Sequence, residues 1–191
     1  MDTPAFHNLS NSDWSSLQAA IATHPFSTDI VWLDGYLVGL VLQTQRPGWD
    51  VWAPKALGEL PSNPLVQILT ERRMAYLCEA LESKAGWTPF LLVEAHQVEL
   101  QPSENFSEVL MPWSAGLEQA FFDFPIEACE HDPNLMLVLA RAYRHLPAPD
   151  EHERELVELL NDAYPLHDLQ DAVGELTACV EELWHFTRSP S

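Results

Sequence analysis

Trp32-Leu33-Asp34-Gly35-Tyr36-Leu37-Val38-Gly39-Leu40 is the stretch on which the reading of this chain turns. It carries one charge among apolar residues, and two glycines stand four positions apart inside a helical pattern. Glycine in a helix interior costs about 1 kcal/mol relative to alanine, so a pair on one face implies that another backbone must come close. Trp32, three positions before Gly35 and seven before Gly39, shares that face. A later stretch, Trp113-Ser114-Ala115-Gly116-Leu117, repeats the Trp-x-x-Gly spacing. These are marks of tight helix packing, a fold signature rather than a chemical one. The same glycine face offers an alternative use, as the contact of a homodimer.

Outward from this stretch, helical periodicity recurs in both directions. Trp14, Leu17 and Ile21 make a short amphipathic segment, with Ser12 or Asp13 as its cap and Pro25 as its end. Ser27, Thr28 and Asp29 offer caps for a helix over 30–42, which Arg46-Pro47-Gly48 breaks. Residues 49–64 hold three prolines and two tryptophans, which predicts an ordered loop pinned by aromatic packing. Asn63-Pro64 is an N-cap with proline in the first helical position, and the helix it opens reaches Glu82 with Gly86 as its stop. Residues 90–101 read as either a short β-hairpin or an irregular segment. Helix resumes at Trp113, again after Asp132-Pro133, again from Asp150 with Glu153 in a capping-box spacing, and finally over Leu169 to Trp184. The expectation is an all-α fold, a multi-helix orthogonal bundle, with residues 1–191 as a single helical domain.

Charge narrows the partners. Twenty-nine acids against nine bases give a formal net charge of −20, a surface that repels nucleic-acid phosphates and anionic membranes and attracts basic proteins. Between Glu118 and Glu182 sixteen acids face three bases, Arg141, Arg144 and Arg154, so that region cannot neutralise itself. It is either a surface for a basic partner or simply a solvated face. Three widely spaced cysteines, Cys78, Cys129 and Cys179, form no Cys-x-x-Cys pair and suit a reducing compartment. Met1–Ser10 lacks a basic start, and no apolar run approaches the eighteen residues or so of a membrane span, so the expected location is cytoplasmic.

Catalytic chemistry finds little spacing to stand on. Asp34, between apolar neighbours, can cap, pair with an arginine or line a site. Cys129-Glu130-His131-Asp132 groups candidate metal ligands, but Asp132 reads as a helix cap, and the paired spacing of zinc sites is missing. His145, His152, His167 and His185 stand apart from one another. There is no Gly-rich phosphate loop and no Gly-x-Ser-x-Gly elbow. No catalytic, cofactor-binding or metal-binding residue is therefore assigned, and no cofactor is expected. Trp49, Trp52 and Trp87 are weighed as aromatic interaction anchors against burial in the core.

The segment from Trp32 through Asp34, Gly35 and Leu37, followed by Trp52-Ala53-Pro54, resembles the N-terminal signature of the YecA/YgfB-like family of uncharacterised bacterial proteins. Trp113 and Gly116 resemble that family's second Trp-x-x-Gly helix start, with Leu117 in place of its aromatic residue. The resemblance spans residues 10–186 and implies an all-α bacterial protein without established catalytic residues. Many members end in a Cys-rich metal-binding tail, whereas here the last residues are Arg188-Ser189-Pro190-Ser191. The expected function is that of a non-enzymatic binding or regulatory adaptor. Its acidic surface engages a basic protein, such as a nucleic-acid-binding protein, without touching nucleic acid directly. The alternative is a metal-assisted hydrolase using Asp34 with histidines gathered by the fold.

Overall fold

The computed structural model describes residues 7–22, 28–92, 106–126, 132–148 and 150–188. Its helices are α1 (Asn11–Ile21), α2 (Ile30–Val41), α3 (Trp49–Leu57), α4 (Pro64–Ser83), α5 (Phe106–Asp123), α6 (Pro133–Tyr143), α7 (Glu151–Ala163) and α8 (Leu169–Arg188). No strand occurs among the described residues. The fold class expected from periodicity is thus observed. Of the 90–101 segment, residues 90–92 have no regular structure and the remainder lies outside the described residues, as do Pro25 and Ser27.

The glycine-marked helix lies at the centre. Every residue of α2 except Trp32 is buried, as expected for a helix apolar on all sides. Asp29 starts it, its carboxylate accepting from the Val31 and Trp32 amides at 2.6 and 3.2 Å. Its main neighbour is α5, and α4 lies against it as well. A Cβ on Gly35 would stand 2.9 Å from the Trp113 carbonyl carbon and overlap its oxygen. A Cβ on Gly116 would stand 2.8 Å from the Trp32 carbonyl carbon and overlap that oxygen too. The two Trp-x-x-Gly segments therefore face each other, each glycine seated on the other's tryptophan carbonyl. Gly39 meets the Ala120 methyl one turn on. This face is filled by α5 of the same chain, so it is not a free surface for a second copy.

Several local expectations are corrected. The cap of α1 is Ser10, not Ser12 or Asp13. Asp13 is the third helical residue, and its carboxylate accepts from the Ser10 amide at 2.9 Å while Ser10 Oγ accepts from the Asp13 amide at 3.2 Å. Residues 49–57 are helix rather than loop. Trp52, Ala53, Ala56 and Leu57 bury one helical face, and that burial outweighs the hydrogen bond Pro54 forfeits. Gly58, with φ of 79°, ends it. Helix α4 is closed by Lys84 in the left-handed region at φ 55°, two residues before Gly86. Helix α5 begins at Phe106 and not Trp113, carrying Pro112 inside it because Leu110 and Trp113 on either side are both buried.

A single cluster of buried side chains draws on α1 to α6 and α8. Helix α7 contributes little to it: only Leu160 is buried, while Leu156 and Leu159 remain 42% and 66% exposed. The first pair of helices packs on later ones, α2 on α5 and α1 on α4. No described helix is long and apolar enough to cross a membrane.

Candidate functional site

Asp34 is fully buried, and its carboxylate is saturated. Arg73 Nε and Nη2 donate to its two oxygens at 2.8 and 3.2 Å, the Phe90 amide donates at 2.8 Å, and Trp113 Nε1 donates at 3.0 Å. Arg73, itself 1% exposed, also donates to Asn8 Oδ1 at 2.8 Å and the Thr88 carbonyl at 3.0 Å, with the Trp14 and Tyr76 rings 5.5 Å from its guanidinium carbon. Of the roles weighed for Asp34, the geometry selects the arginine pair. A buried ion pair is tolerated only when its remaining donors and acceptors are met, and here one network meets them from α2, α4, α5 and the segment after Gly86. Among the described residues no histidine hydrogen-bonds to it. His7, His152, His167 and His185 are exposed, and His24, His96, His131 and Cys129 lie outside the described residues. Among the described residues no three His, Cys, Asp or Glu side chains converge as ion ligands.

The tryptophans weighed as anchors divide. Trp52 and Trp87 are core residues, 1% and 5% exposed. Trp49 is half-buried with its ring edge-on to Trp52 at 5.0 Å. Trp32 is the half-buried aromatic that opens onto a large depression, lying over Tyr36 at 5.1 Å. Tyr36 in turn donates to Asp123 at 2.8 Å.

A second polar cluster joins α6, α7 and α8. Glu175 bridges Arg141 at 3.2 Å and Arg144, and Arg144 donates to the Tyr164 carbonyl at 2.8 Å. Arg141 stands 4.9 Å from the centre of the Tyr164 ring. These contacts tie the C-terminal end of α7 to the α6–α8 pair. Burial pushes the neighbouring Cys179 thiol up to about 12. His145 is 4% exposed, shares a 3.2 Å hydrogen bond between Nδ1 and Ser107, and has its Nε2 without a partner among the described residues. Burial, then the Arg144 charge, lower its pKa to about 4. Since the folded value lies below the unfolded one, the unfolded chain takes up the proton first as pH falls. The stabilising contribution is intact above about pH 6.5 and is lost between there and about pH 4. Urea titrations at pH 7 and 4.5 should show a loss of about 2 kcal/mol in wild type that His145→Gln lacks.

The depression beside Trp32 is an open groove of about 1470 Å³. Its walls are helical stripes. Met111, Ala115 and Gln119 of α5 line one side, turned away from the Gly116 face. Met136, Leu139, Ala140 and Tyr143 of α6 line the second, and Leu156, Val157 and Leu160 of α7 the third. Pro54 and Ala56 of α3 close the end near Trp32. Three acids, Asp29, Glu118 and Glu153, lie on its rim, with Lys55 and Arg144 as the lining bases. Lys55 is directed to Asp123 at 3.5 Å and Arg144 to Glu175. Burial, then the charge of Glu153, raise the Glu118 pKa from its ordinary value. The arrangement offers apolar area with unneutralised negative charge at its edge, a surface suited to binding.

Comparison of the chain with family models, with curated proteins and with solved structures returns no match.

Proposed function

We propose that this chain is a non-enzymatic binding or regulatory protein of the cytoplasm, and that the groove among α3, α5, α6 and α7 holds a segment of a basic protein partner. The observation that carries the reading is the groove itself: apolar on three walls, acidic at its rim, its two bases engaged elsewhere. Its volume exceeds the roughly 300–1,000 Å³ usual for small-molecule pockets, which favours a stretch of polypeptide. Saturation of Asp34 by four donors supports binding over acid–base chemistry at that residue. Membership of the YecA/YgfB-like family belongs to the same proposal and rests on the short Trp-x-x-Gly and Trp-Ala-Pro segments.

A photoreactive residue placed at Met136, 55% exposed in the groove, should give salt-sensitive protein adducts in cells. The same residue at Ile68, 58% exposed on α4, should not give them. Ala115→Trp, which stands an indole on the α5 wall where the segment would seat, should strongly reduce the Met136 adducts while circular dichroism shows the fold retained. Identical adducts from both positions, no adducts at all, or adducts undiminished by Ala115→Trp would overturn the proposal.

A further inference from the structure

We propose that the groove's occupant is an amphipathic α-helix, seated by its apolar face and carrying an arginine or lysine whose charge lodges between Glu118 and Glu153. This rests on the groove reading above and names the partner's chemistry. Each wall presents residues at the spacing by which one helix meets another: Met111, Ala115 and Gln119 on α5, Met136, Leu139, Ala140 and Tyr143 on α6, and Leu156, Val157 and Leu160 on α7. Walls of this kind leave room for one more rod. They offer no strand edge, because the backbone groups of a helix interior are spent within the helix. An extended peptide would leave its amides and carbonyls unpaired against such walls, whereas a helix arrives with its own already bonded.

Charge sets the second requirement. Glu118 on α5 and Glu153 on α7 both line the groove. Both residues are solvent-exposed, and among the described residues no base other than Lys55 and Arg144, each already paired, lines the groove beside them. A guanidinium or ammonium between them gains two opposite charges at once. Helix α7 is held at its C-terminal end through Arg144 and Tyr164.

The test uses synthetic amphipathic peptides of about 14 residues, long enough to form a helix when bound. One carries leucines at i, i+3, i+4 and i+7 with a flanking arginine. A second replaces that arginine by norleucine, and a third carries a central proline. Fluorescence anisotropy with the full chain should show the arginine peptide binding about tenfold more tightly than the norleucine peptide. The proline peptide should be weaker still. In Glu118→Gln/Glu153→Gln the arginine preference should vanish while the norleucine peptide is unaffected. A preference that survives the double substitution, or a proline peptide that binds as well as the helical one, overturns this inference and leaves the groove reading standing. If Ala115→Trp leaves all three affinities unchanged, the groove reading itself fails.

Discussion

Gly116→Ala and Gly35→Ala will each lower stability by about 3 kcal/mol or more, the upper part of the range for overpacked interiors. An added methyl ordinarily helps a helix, since alanine outranks glycine in helix propensity by about 1 kcal/mol. Here the methyl meets the carbonyl of Trp32 or Trp113, which is main chain and cannot rotate aside. The only relief is to part α2 from α5, and that loosens Leu37, Leu117 and Ala120, each 0% exposed. In a chain of this length the melting temperature should fall by about 6–12 °C. Gly39→Ala meets the Ala120 Cβ, which has no rotamer and moves only with its backbone, so it too should destabilise. Gly174 supplies the opposite sign: nothing lies within 4 Å of a Cβ there, it sits mid-helix in α8, and Gly174→Ala should stabilise by roughly 0.5–1 kcal/mol. Thermal denaturation of the four variants side by side separates helix propensity from close approach. Opposite signs at Gly35 and Gly174, with the loss at Gly35 several times the gain at Gly174, are the expected pattern; a gain at Gly35 would mean that α2 and α5 do not lie backbone to backbone.

That contrast also shows what was legible. Two glycines with a tryptophan on one face demand a neighbouring backbone, and the second Trp-x-x-Gly segment turns out to be that neighbour. The caps Asp29, Asn63 and Asp132 were readable because each side-chain oxygen serves an amide two or three residues on. Proline misled at residues 49–64. Pro54 read as part of a loop, yet it lies within a helix whose buried face offsets one missing hydrogen bond, and α5, read only from Trp113, holds Pro112 in its interior. Sequence alone could not weigh that burial, because the partners of Trp52 and Leu110 come from distant segments. The groove was less visible still. The acids of α7 signalled a solvated face, and Leu156, Val157 and Leu160 have the spacing of any core stripe. Only the fold shows that the stripe meets open space. Trp52 and Trp87 illustrate the converse: residue type suggested an interface, and position put both in the interior.

Asp34→Ala will be among the most damaging single changes in the molecule, costing about 3–5 kcal/mol, because it strands a buried guanidinium. The loss reaches beyond the ion pair. The Phe90 amide and Trp113 Nε1 lose their acceptor, and a buried donor left unmet costs about 1–3 kcal/mol. Arg73→Met should be comparably severe, since it leaves the carboxylate unpaired and releases Asn8 and the Thr88 carbonyl. Asp34→Leu/Arg73→Met removes both charges, and its cost should fall well short of the sum of the single changes. Urea denaturation gives these energies. Amide exchange locates them: the Phe90 N–H, held by Asp34, should lose protection in Asp34→Ala before the interior of α2 does, because the 88–90 segment is tethered through this pair and through the Trp14–Phe90 ring stack at 4.0 Å. An acid kept for proton transfer behaves differently, since its removal leaves stability unchanged or improved while abolishing turnover. If Asp34→Ala proves as stable as wild type, Asp34 is not the keystone of this core, and the hydrolase reading regains its best residue.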